Sequence, residues 1–192
     1  MGHTKIYRQE QEAFRASCTY SFSYWEKWDY SVLDKIRTLK KPTKRDKGKT
    51  YNDIIIMADT ESSKDHKPKF RKDIMENHLV ICTITLRAYQ TNIVTLYGRN
   101  PEHFPLCVQK IMESMNGTNT YLFFHNLGWD WTFLRRVIMA EFGPPKNQLN
   151  IKPYYPLFIE FTNGLMIRDS LILAQRKLEK WAESSHREHR KA

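Results

Sequence analysis

The sequence predicts an α/β fold, in which helices flank a mixed β-sheet and an extension precedes it at the N-terminus. Between residues 53 and 192, short apolar segments rich in β-branched residues alternate with amphipathic segments of helical length. A short turn and an Asn-Gly pair predict hairpins between strands that follow each other along the chain. Residues 1–52 show no such alternation, so we expect them to form a basic, aromatic extension.

Three predicted strands begin the domain. Residues Ile54–Asp59 form an apolar, β-branched run that is typical of a buried strand. The segments His78–Arg87 and Asn92–Tyr97 follow it, with only residues 88–91 between them. Because that connection is short enough for a hairpin, the three strands are expected to form a meander.

An aromatic fourth strand, Thr120–His125, lies between two predicted helices. The first helix, Pro101–Met115, carries apolar residues at helical spacing. The second, Trp129–Phe142, ends before the helix-breaking residues Gly143–Pro145. A strand that returns after a helix predicts a mixed sheet with helices packed on it.

Two more strands and a helix complete the pattern. Leu157–Phe161 and Leu165–Arg168 flank an Asn-Gly turn, and Leu173–Ala182 reads as a final helix. The full order is therefore β-β-β-α-β-α-β-β-α. A ribonuclease-H-like sheet fits this order well, as do several other α/β folds.

Composition restricts the class of protein. The chain has 192 residues, 41% hydrophobic and 13% aromatic, which is enough for one packed domain, alone or with an arm. Its longest apolar runs, residues 54–58 and 79–82, are too short to cross a bilayer, and residues 1–5 carry no apolar secretion signal. Three widely spaced cysteines without a C-x-x-C pair predict neither a disulfide framework nor a zinc ribbon. A reducing cytoplasm is the expected compartment.

The charge balance points to a polyanionic partner. Lys and Arg number 31 against 21 Asp and Glu, giving a formal net charge of +10. The excess gathers in residues 35–49, 64–72 and 176–191. Such clustering favours nucleic acid, then an anionic membrane, over a protein that is merely soluble and basic.

The extension combines aromatic side chains with a helix-like stretch, Ser31–Leu39, and a basic linker that contains Pro42 and Gly48. We expect the aromatic cluster to pack on the main domain, with stacking on bases as the alternative. The cluster consists of Tyr20, Phe22, Tyr24, Trp25, Trp28 and Tyr30.

Asp59 and Glu61 stand at the C-terminal end of the first predicted strand. Two positions apart on an extended chain, their side chains leave the same face, at the edge where α/β sheets place active sites. Neighbouring carboxylates repel unless a cation lies between them, and hard cations such as Mg²⁺ or Mn²⁺ prefer oxygen ligands. The pair therefore predicts a divalent-metal site, with an ordinary acidic turn as the alternative.

A third carboxylate follows the fourth strand. Asp130 is expected in the first turn of the next helix, beside the strand end at His125. If the fourth strand lies next to the first, Asp130 meets Asp59 and Glu61, and two metal ions there would position the attacking water and the leaving oxygen of a phosphodiester. The alternatives are a partner of the helix dipole for Asp130 and a hydrogen-bonded strand-end histidine for His125.

Three segments in order resemble the 3′–5′ exonuclease domain of protein-primed family B DNA polymerases of phages and linear plasmids. Ile56–Ser62 resembles the first exonuclease motif, and Tyr121–Asp130, with His-Asn and then an aromatic-Asp pair, resembles the second. Arg168–Leu171 and then Lys177–Ala182 are similar to the next landmark. The resemblance covers roughly residues 53–192.

The resemblance implies a role for each matched position. Asp59, Glu61 and Asp130 would be the catalytic carboxylates that bind Mg²⁺ or Mn²⁺ in a two-metal site. The substrate would be the 3′ end of single-stranded DNA, in the cytoplasm of a bacterium or a phage-infected cell. A terminal protein or another replication protein would be a further partner, and no membrane is implied. The matched strand-contact positions are Ser62, His125, Asn126, Trp129, Phe133, Ser170 and Leu171.

The chain departs from the family after residues 177–182. The third exonuclease motif, Tyr-x-x-x-Asp, should supply the last metal carboxylate and a tyrosine that orients the water, yet it does not follow there, nor do the polymerase palm and fingers. Tyr30–Asp34 has that pattern but precedes the first motif, and we expect a chance match. The resemblance thus implies an incomplete exonuclease domain over residues 53–192.

Three functions are compatible with these residues. The first is the N-terminal exonuclease portion of a DNA-directed DNA polymerase, which removes nucleotides from single-stranded 3′ ends during replication. The second is a catalytically weak or inactive module, derived from that domain, that binds single-stranded DNA or a protein with a steep salt dependence. The third is a free-standing nuclease in which Asp34 or Asp169 replaces the missing metal ligand.

Overall fold

The computed structural model describes residues 2–36, 38–40, 50–52, 54–66, 75–89, 91–115 and 119–174. The helices in these ranges are α1 (Gly2–Ser17), a 3₁₀ helix (Tyr30–Lys35), α2 (His103–Ser114), α3 (Leu127–Phe142) and α4 (Leu171–Ala174). The strands are β1 (Ser21–Tyr24), β2 (Thr38–Lys40), β3 (Thr50–Asn52), β4 (Ile54–His66), β5 (Met75–Ala88), β6 (Thr91–Gly98), β7 (Thr120–Phe124), β8 (Asn147–Lys152), β9 (Tyr155–Glu160) and β10 (Leu165–Asp169).

Eight strands form one mixed sheet in the order β1-β6-β5-β4-β7-β10-β9-β8, and β2 pairs with β3 in a separate ribbon. β4, β5 and β6 form the expected antiparallel meander. β7 returns parallel to β4 on its other side, and β10 continues parallel to β7. This order confirms the predicted α/β class, with a ribonuclease-H-like mixed sheet and flanking helices.

The two faces of the sheet differ in burial. Along β4, the central strand, successive side chains point to opposite sides, so buried and exposed residues alternate. We call the buried side the covered face and the exposed side the open face. On β4, the covered face carries Ile56, Ala58 and Thr60, and the open face carries Ile55, Met57, Asp59 and Glu61.

Helices α2 and α3 pack on the covered face. The ring of Phe104 in α2 lies 6.2 Å from the ring of Phe124 in β7. Leu134 and Ile138 of α3 are buried in the same apolar cluster as Ile56. Removing these side chains from water is the main favourable contribution to folding, so the covered face holds the core.

Residues from the predicted extension contribute to this same core. β1 pairs in parallel with β6 at the edge of the sheet, and Trp25 and Leu33 are buried in the central cluster. The ring of Phe14 in α1 meets that of Tyr89 edge-on at 5.2 Å. Of the two alternatives for the aromatic cluster, packing on the main domain is therefore confirmed for Trp25, and the two parts separated at residue 52 share one core.

The predicted helix over Ser31–Leu39 is wrong beyond its first turns. Asp29 accepts a hydrogen bond from the Ser31 N–H and starts a 3₁₀ helix, which ends at Lys35. Ile36 is extended and buried, and Thr38–Lys40 forms β2. The helix cannot continue because the backbone of Thr38–Lys40 pairs with β3 instead.

Other predicted elements agree with the structure to within a few residues, except that β4 continues to His66, well beyond its predicted end at Asp59. α1, β1, β2, β3 and β8 were not expected. Residues 175–182 of the predicted last helix lie outside the described ranges, as do residues 41–49, 67–72 and 176–191 of the basic clusters. Among the described helices, none has the length and apolar character needed to cross a membrane.

Candidate active site

The parallel pairing of the three neighbouring strands β4, β7 and β10 ends at one edge of the sheet. Ala58 in β4 is level with Phe124 in β7, and Phe124 is level with Asp169 in β10. β4 itself continues to His66, so Asp59 and Glu61 lie within this strand and the prediction that they stand at its C-terminal end is wrong. Because the three strands are parallel, the residues that follow their paired segments emerge side by side. They include Asp59, His125 and Ser170.

Asp59 and Glu61 lie on the open face, as their spacing predicts, and both are exposed. Loss of surrounding water still raises the pKa of Asp59. The Thr60 backbone N–H lowers it, the charge of Glu61 raises it and His125 lowers it. Asp59 is thus within electrostatic reach of both Glu61 and His125.

Asp130 lies on the other side of β4. Its Oδ1 accepts two hydrogen bonds from Thr60, one from the hydroxyl at 2.7 Å and one from the backbone N–H at 3.0 Å. Thr60 belongs to the covered face, so Asp130 reaches the strand end from beneath the sheet while Asp59 and Glu61 leave from above. The three carboxylates surround one residue, Thr60.

Asp130 is 2% exposed, and this burial raises its pKa to about 7. The hydrogen bond from the Thr60 hydroxyl lowers the pKa, whereas the charge of Asp59 raises it. The interaction with Asp59 shows that the two carboxyl groups are close enough for their charges to repel. Raised pKa values of this kind occur often at functional sites.

The donor set has the chemistry that Mg²⁺ or Mn²⁺ prefers, because Asp59, Glu61 and Asp130 offer carboxylate oxygens. A divalent cation would favour the charged forms of the two carboxyl groups whose pKa values are raised. Within the described residues, however, no three His, Cys, Asp or Glu side chains are grouped as a set of metal ligands. In the described arrangement, Asp130 Oδ1 accepts hydrogen bonds from Thr60.

His125 is held at the end of β7 by the neighbouring strand. Its Nδ1 lies 3.3 Å from the hydroxyl of Ser170, which in turn donates to the carbonyl oxygen of Phe124 at 3.0 Å. The His125 Nε2 is buried, and no described residue forms a hydrogen bond with it. The structure therefore supports a hydrogen-bonded strand-end histidine whose second ring nitrogen is buried and not open to a ligand.

Asn126 takes a left-handed conformation, with φ 69° and ψ 53°, immediately before α3. Asn tolerates this region better than most residues. Its backbone N–H donates to Asp169 Oδ1 at 3.0 Å, and the N–H of Leu171 donates to the same oxygen at 2.8 Å. Asp169 therefore positions the backbone of two loops. The hypothesis of a free-standing nuclease gives Asp169 a different role, that of the missing metal ligand.

Trp129 and Phe133 form an aromatic pair on α3, with ring centroids 5.6 Å apart. Trp129 is 39% exposed, so its ring can contact a ligand while Phe133 supports it. Between Asn126 and Trp129, Gly128 packs against a neighbouring aromatic: a Cβ there would lie 2.1 Å from Tyr155 Cδ1. That close contact fixes the first turn of α3 against β9.

Ser62 follows a β-bulge that falls between Glu61 and Ser62, where β4 shifts its register against β5. A bulge redirects the side chains that follow it, which places Ser62 half-buried just beyond the acidic pair. All the predicted positions thus belong to β4 or to the segments that follow β7 and β10. The bulge in β4 positions Ser62, whereas Leu171 is the first residue of α4.

Sequence reasoning missed the structural residues that hold this site. In the sequence, Thr60 is noticed only as the residue between Asp59 and Glu61. Its hydroxyl lies on the covered face, however, and a hydroxyl at such a position indicates a buried polar partner. Asp169, considered only as a substitute metal ligand, is the last residue of β10, and its side chain accepts a hydrogen bond from the backbone N–H two residues later, as in a local turn. Gly128 carries no signal without knowledge of Tyr155.

Comparison of the chain with known protein families, with curated proteins and with solved structures finds no match.

Proposed function

We propose that this protein is a metal-dependent nuclease that removes nucleotides from single-stranded 3′ DNA ends, as the N-terminal exonuclease portion of a protein-primed DNA polymerase. The observation that carries the proposal is the meeting of Asp59, Glu61 and Asp130 around Thr60, where the charges of Asp59 and Asp130 interact. The setting would be DNA replication in the cytoplasm of a bacterium or a phage-infected cell. A terminal protein or another replication protein would be a further partner.

Each side chain has a defined task in this function. Asp59, Glu61 and Asp130 would hold Mg²⁺ or Mn²⁺, whose chemistry activates water and stabilises the charge that develops on a phosphodiester. Thr60 keeps Asp130 oriented through its hydroxyl and its N–H. Because Asp130 has a pKa of about 7, its carboxylate becomes available for metal as the pH rises through neutrality.

The strand would lie along the residues that surround the acidic pair. Trp129, supported by Phe133, offers an exposed ring on which a base can stack. The exposed amide of Asn126 suits phosphate or sugar oxygens, and His125 would contact the strand only through the part of its ring that is not buried. Ser62, Ser170 and Leu171 would extend this surface from the same edge of the sheet, as the resemblance implies.

The decisive test is digestion of 5′-labelled single-stranded and 3′-recessed DNA by the full chain in Mn²⁺. We expect stepwise shortening from the 3′ end. The double variant Asp59→Asn, Glu61→Gln preserves the size of both side chains. It should slow the shortening by at least roughly 10–100-fold, because even changes to residues that only support the metal ligands have an effect of that size. The matched control Glu12→Gln, at an exposed position in α1, should leave the rate unchanged. Equal rates for the double variant and the control would refute the assignment.

A second function is favoured by one specific observation. Asp130 already gives an oxygen to Thr60, and the described residues contain no set of three metal ligands. A module that binds single-stranded DNA without cutting it would need only the aromatic and basic surface. This alternative predicts no shortening by any variant, together with binding that persists in EDTA and weakens steeply between low and moderate salt.

A further inference from the structure

Arg168 is an exposed cation on the open face of the sheet. It pairs across β10 and β7 with Phe123, which pairs in turn with Met57 of the open face in β4. Residues that pair across neighbouring strands lie on the same side of a sheet, so the side chain of Arg168 leaves the open face as well. Arg168 has no task in the exonuclease function described above.

Two aromatic rings hold the guanidinium of Arg168. Its Cζ lies 4.9 Å from the ring centroid of Tyr121, in the strand on one side, and 4.9 Å from that of Phe158, in the strand on the other. Both distances are within the range in which a ring attracts a cation. These contacts restrict a long side chain, and an arginine that is already ordered loses less entropy when it binds a ligand.

The described residues provide no acidic partner for this guanidinium. Two acids are close to Arg168 along the strands, but both have other partners. Glu160 in β9 forms an ion pair with Lys146 at 3.6 Å and accepts a hydrogen bond from Asn147 at 2.8 Å. Asp169 accepts two backbone N–H groups. The N–H donors of Arg168 therefore face water or an acceptor from outside the described chain.

Arg168 lies near the proposed metal site but not in it. In the row that joins Arg168 to β4, the last residue is Met57, which precedes Asp59 by two positions. Two strand spacings across the sheet and two residues along it correspond to roughly 12 Å. An extended single strand places successive phosphates roughly 6 Å apart, about twice the rise per base of the same strand in a duplex. Arg168 is therefore about two nucleotides from a phosphodiester held at Asp59.

We propose that Arg168 binds the phosphate that lies two nucleotides before the linkage to be cut, on the 5′ side, in single-stranded DNA. This inference rests on the strand path of the proposed function, in which Ser170 follows Arg168 by two residues and contacts His125. A planar guanidinium can donate two parallel hydrogen bonds to one phosphate. Its positive charge also offsets the repulsion that Asp59 and Glu61 exert on an approaching strand.

The test measures, by fluorescence anisotropy in EDTA, the binding of a 5′-labelled single-stranded oligonucleotide to the full chain. One linkage at a time, counted from the 3′ end, is replaced by a neutral methylphosphonate. We expect replacement of the third linkage, two nucleotides before the one to be cut, to weaken binding roughly tenfold, because one charged hydrogen bond is lost. This scan of the unaltered chain tests the position of the phosphate independently of any variant.

Arg168→Met keeps an apolar side chain between the two rings and should bind the unmodified strand about tenfold more weakly, with no further loss from the third methylphosphonate. Its dependence of log affinity on log salt should fall by about 0.7, the value for one phosphate contact with a single strand. Arg168→Lys keeps the charge and should retain that salt dependence. The matched control Arg136→Met removes an exposed arginine from α3, the helix that packs on the covered face, and should still respond to the third methylphosphonate.

Three outcomes overturn the proposal. They are no binding of the oligonucleotide by the unaltered chain, an equal effect of every linkage, and a response of Arg168→Met to the third methylphosphonate that matches the unaltered chain. Because nothing is cut in EDTA, the last two outcomes leave the nuclease proposal standing. Digestion in Mn²⁺ tests that proposal separately, so the two failures are distinguishable.

Discussion

The covered and open faces of the sheet are built from the same strands but serve different ends. On β4, Ile56 is 2% exposed and faces α2 and α3, whereas its neighbour Ile55 is 50% exposed. The same alternation continues beyond the pairing with β7, where Asp59 and Glu61 take open-face positions and Thr60 a covered one. A single strand thus supports the core with one set of side chains and presents acidic groups with the other.

The two faces are connected through Thr60 and Asp130. Thr60 is the last buried residue on the covered side before the bulge, and it holds the carboxylate of Asp130. Asp130 therefore places a titratable group in the core that interacts with the exposed carboxylate of Asp59. Changes to the covered face should alter stability, changes to the open face should alter activity, and changes at Thr60 and Asp130 should alter both.

The largest effect should come from removing matched isoleucines on opposite faces. Ile84→Ala, fully buried on the covered face, is expected to lower the free energy of unfolding by about 2–5 kcal/mol because it leaves a cavity. Ile55→Ala, on the open face, should cost about 1 kcal/mol or less. Urea unfolding at one pH measures both values. Similar losses for the two variants would show that the open face is also packed.

The next effect concerns the charge on Asp130. Its pKa is about 7 in the folded state against an ordinary 3.8, so between these values the folded chain holds a proton that the unfolded chain has lost. Stability should therefore fall as the pH rises from about 4 to about 7. Asp130→Asn removes this titration and should be more stable than the unaltered chain at pH 8, by about 4 kcal/mol at most.

Urea unfolding across that pH range measures the difference between the two chains. The gap should be near zero at pH 4 and widen towards pH 8, while Asp34→Asn, at an exposed position, should show no comparable change. A gap of constant size would mean that Asp130 does not titrate in this range. The same variant should lose activity at every pH, since the amide is a poor ligand for Mn²⁺.

A smaller effect should follow from the hydroxyl of Thr60. Thr60→Val keeps the shape of the side chain and removes the 2.7 Å hydrogen bond to Asp130, at a cost of about 1–3 kcal/mol. Thr60→Ser keeps the hydroxyl and should cost less. The difference should be greatest above pH 7, where Asp130 is charged. If both variants unfold at the same urea concentration at pH 8, the hydroxyl does not stabilise the carboxylate.

Much of the fold could be predicted because apolar periodicity reports burial directly. The alternation in β4 and β7 and the apolar spacing in α2 each reflect contact with the core. β8 could not be found this way, because all six of its residues are exposed. β1 was missed because its four residues pair with a strand far along the chain, and no local pattern encodes that pairing.

The candidate site was predictable in part, since acidic residues at strand ends are visible in the sequence. Their neighbourhood follows from the parallel pairing of β4 with β7. The approach of Asp130 from the covered side was not foreseen, because it depends on Thr60 facing the core. Asp169 as a holder of two backbone N–H groups was likewise invisible without the loop geometry.

The edge pairing of β1 has a consequence for the order in which the chain assembles. Ser21 pairs with Val94, so strand β1 leaves the ribosome 73 residues before its partner. Closing so long a segment costs entropy that only later contacts offset, and contacts distant in sequence form slowly. Until β6 is made, Trp25 cannot pack against Gly98. During synthesis, β1 therefore cannot pair until β6 has been made. In that interval Trp25 and the aromatic residues near it lack their packing partners in the sheet.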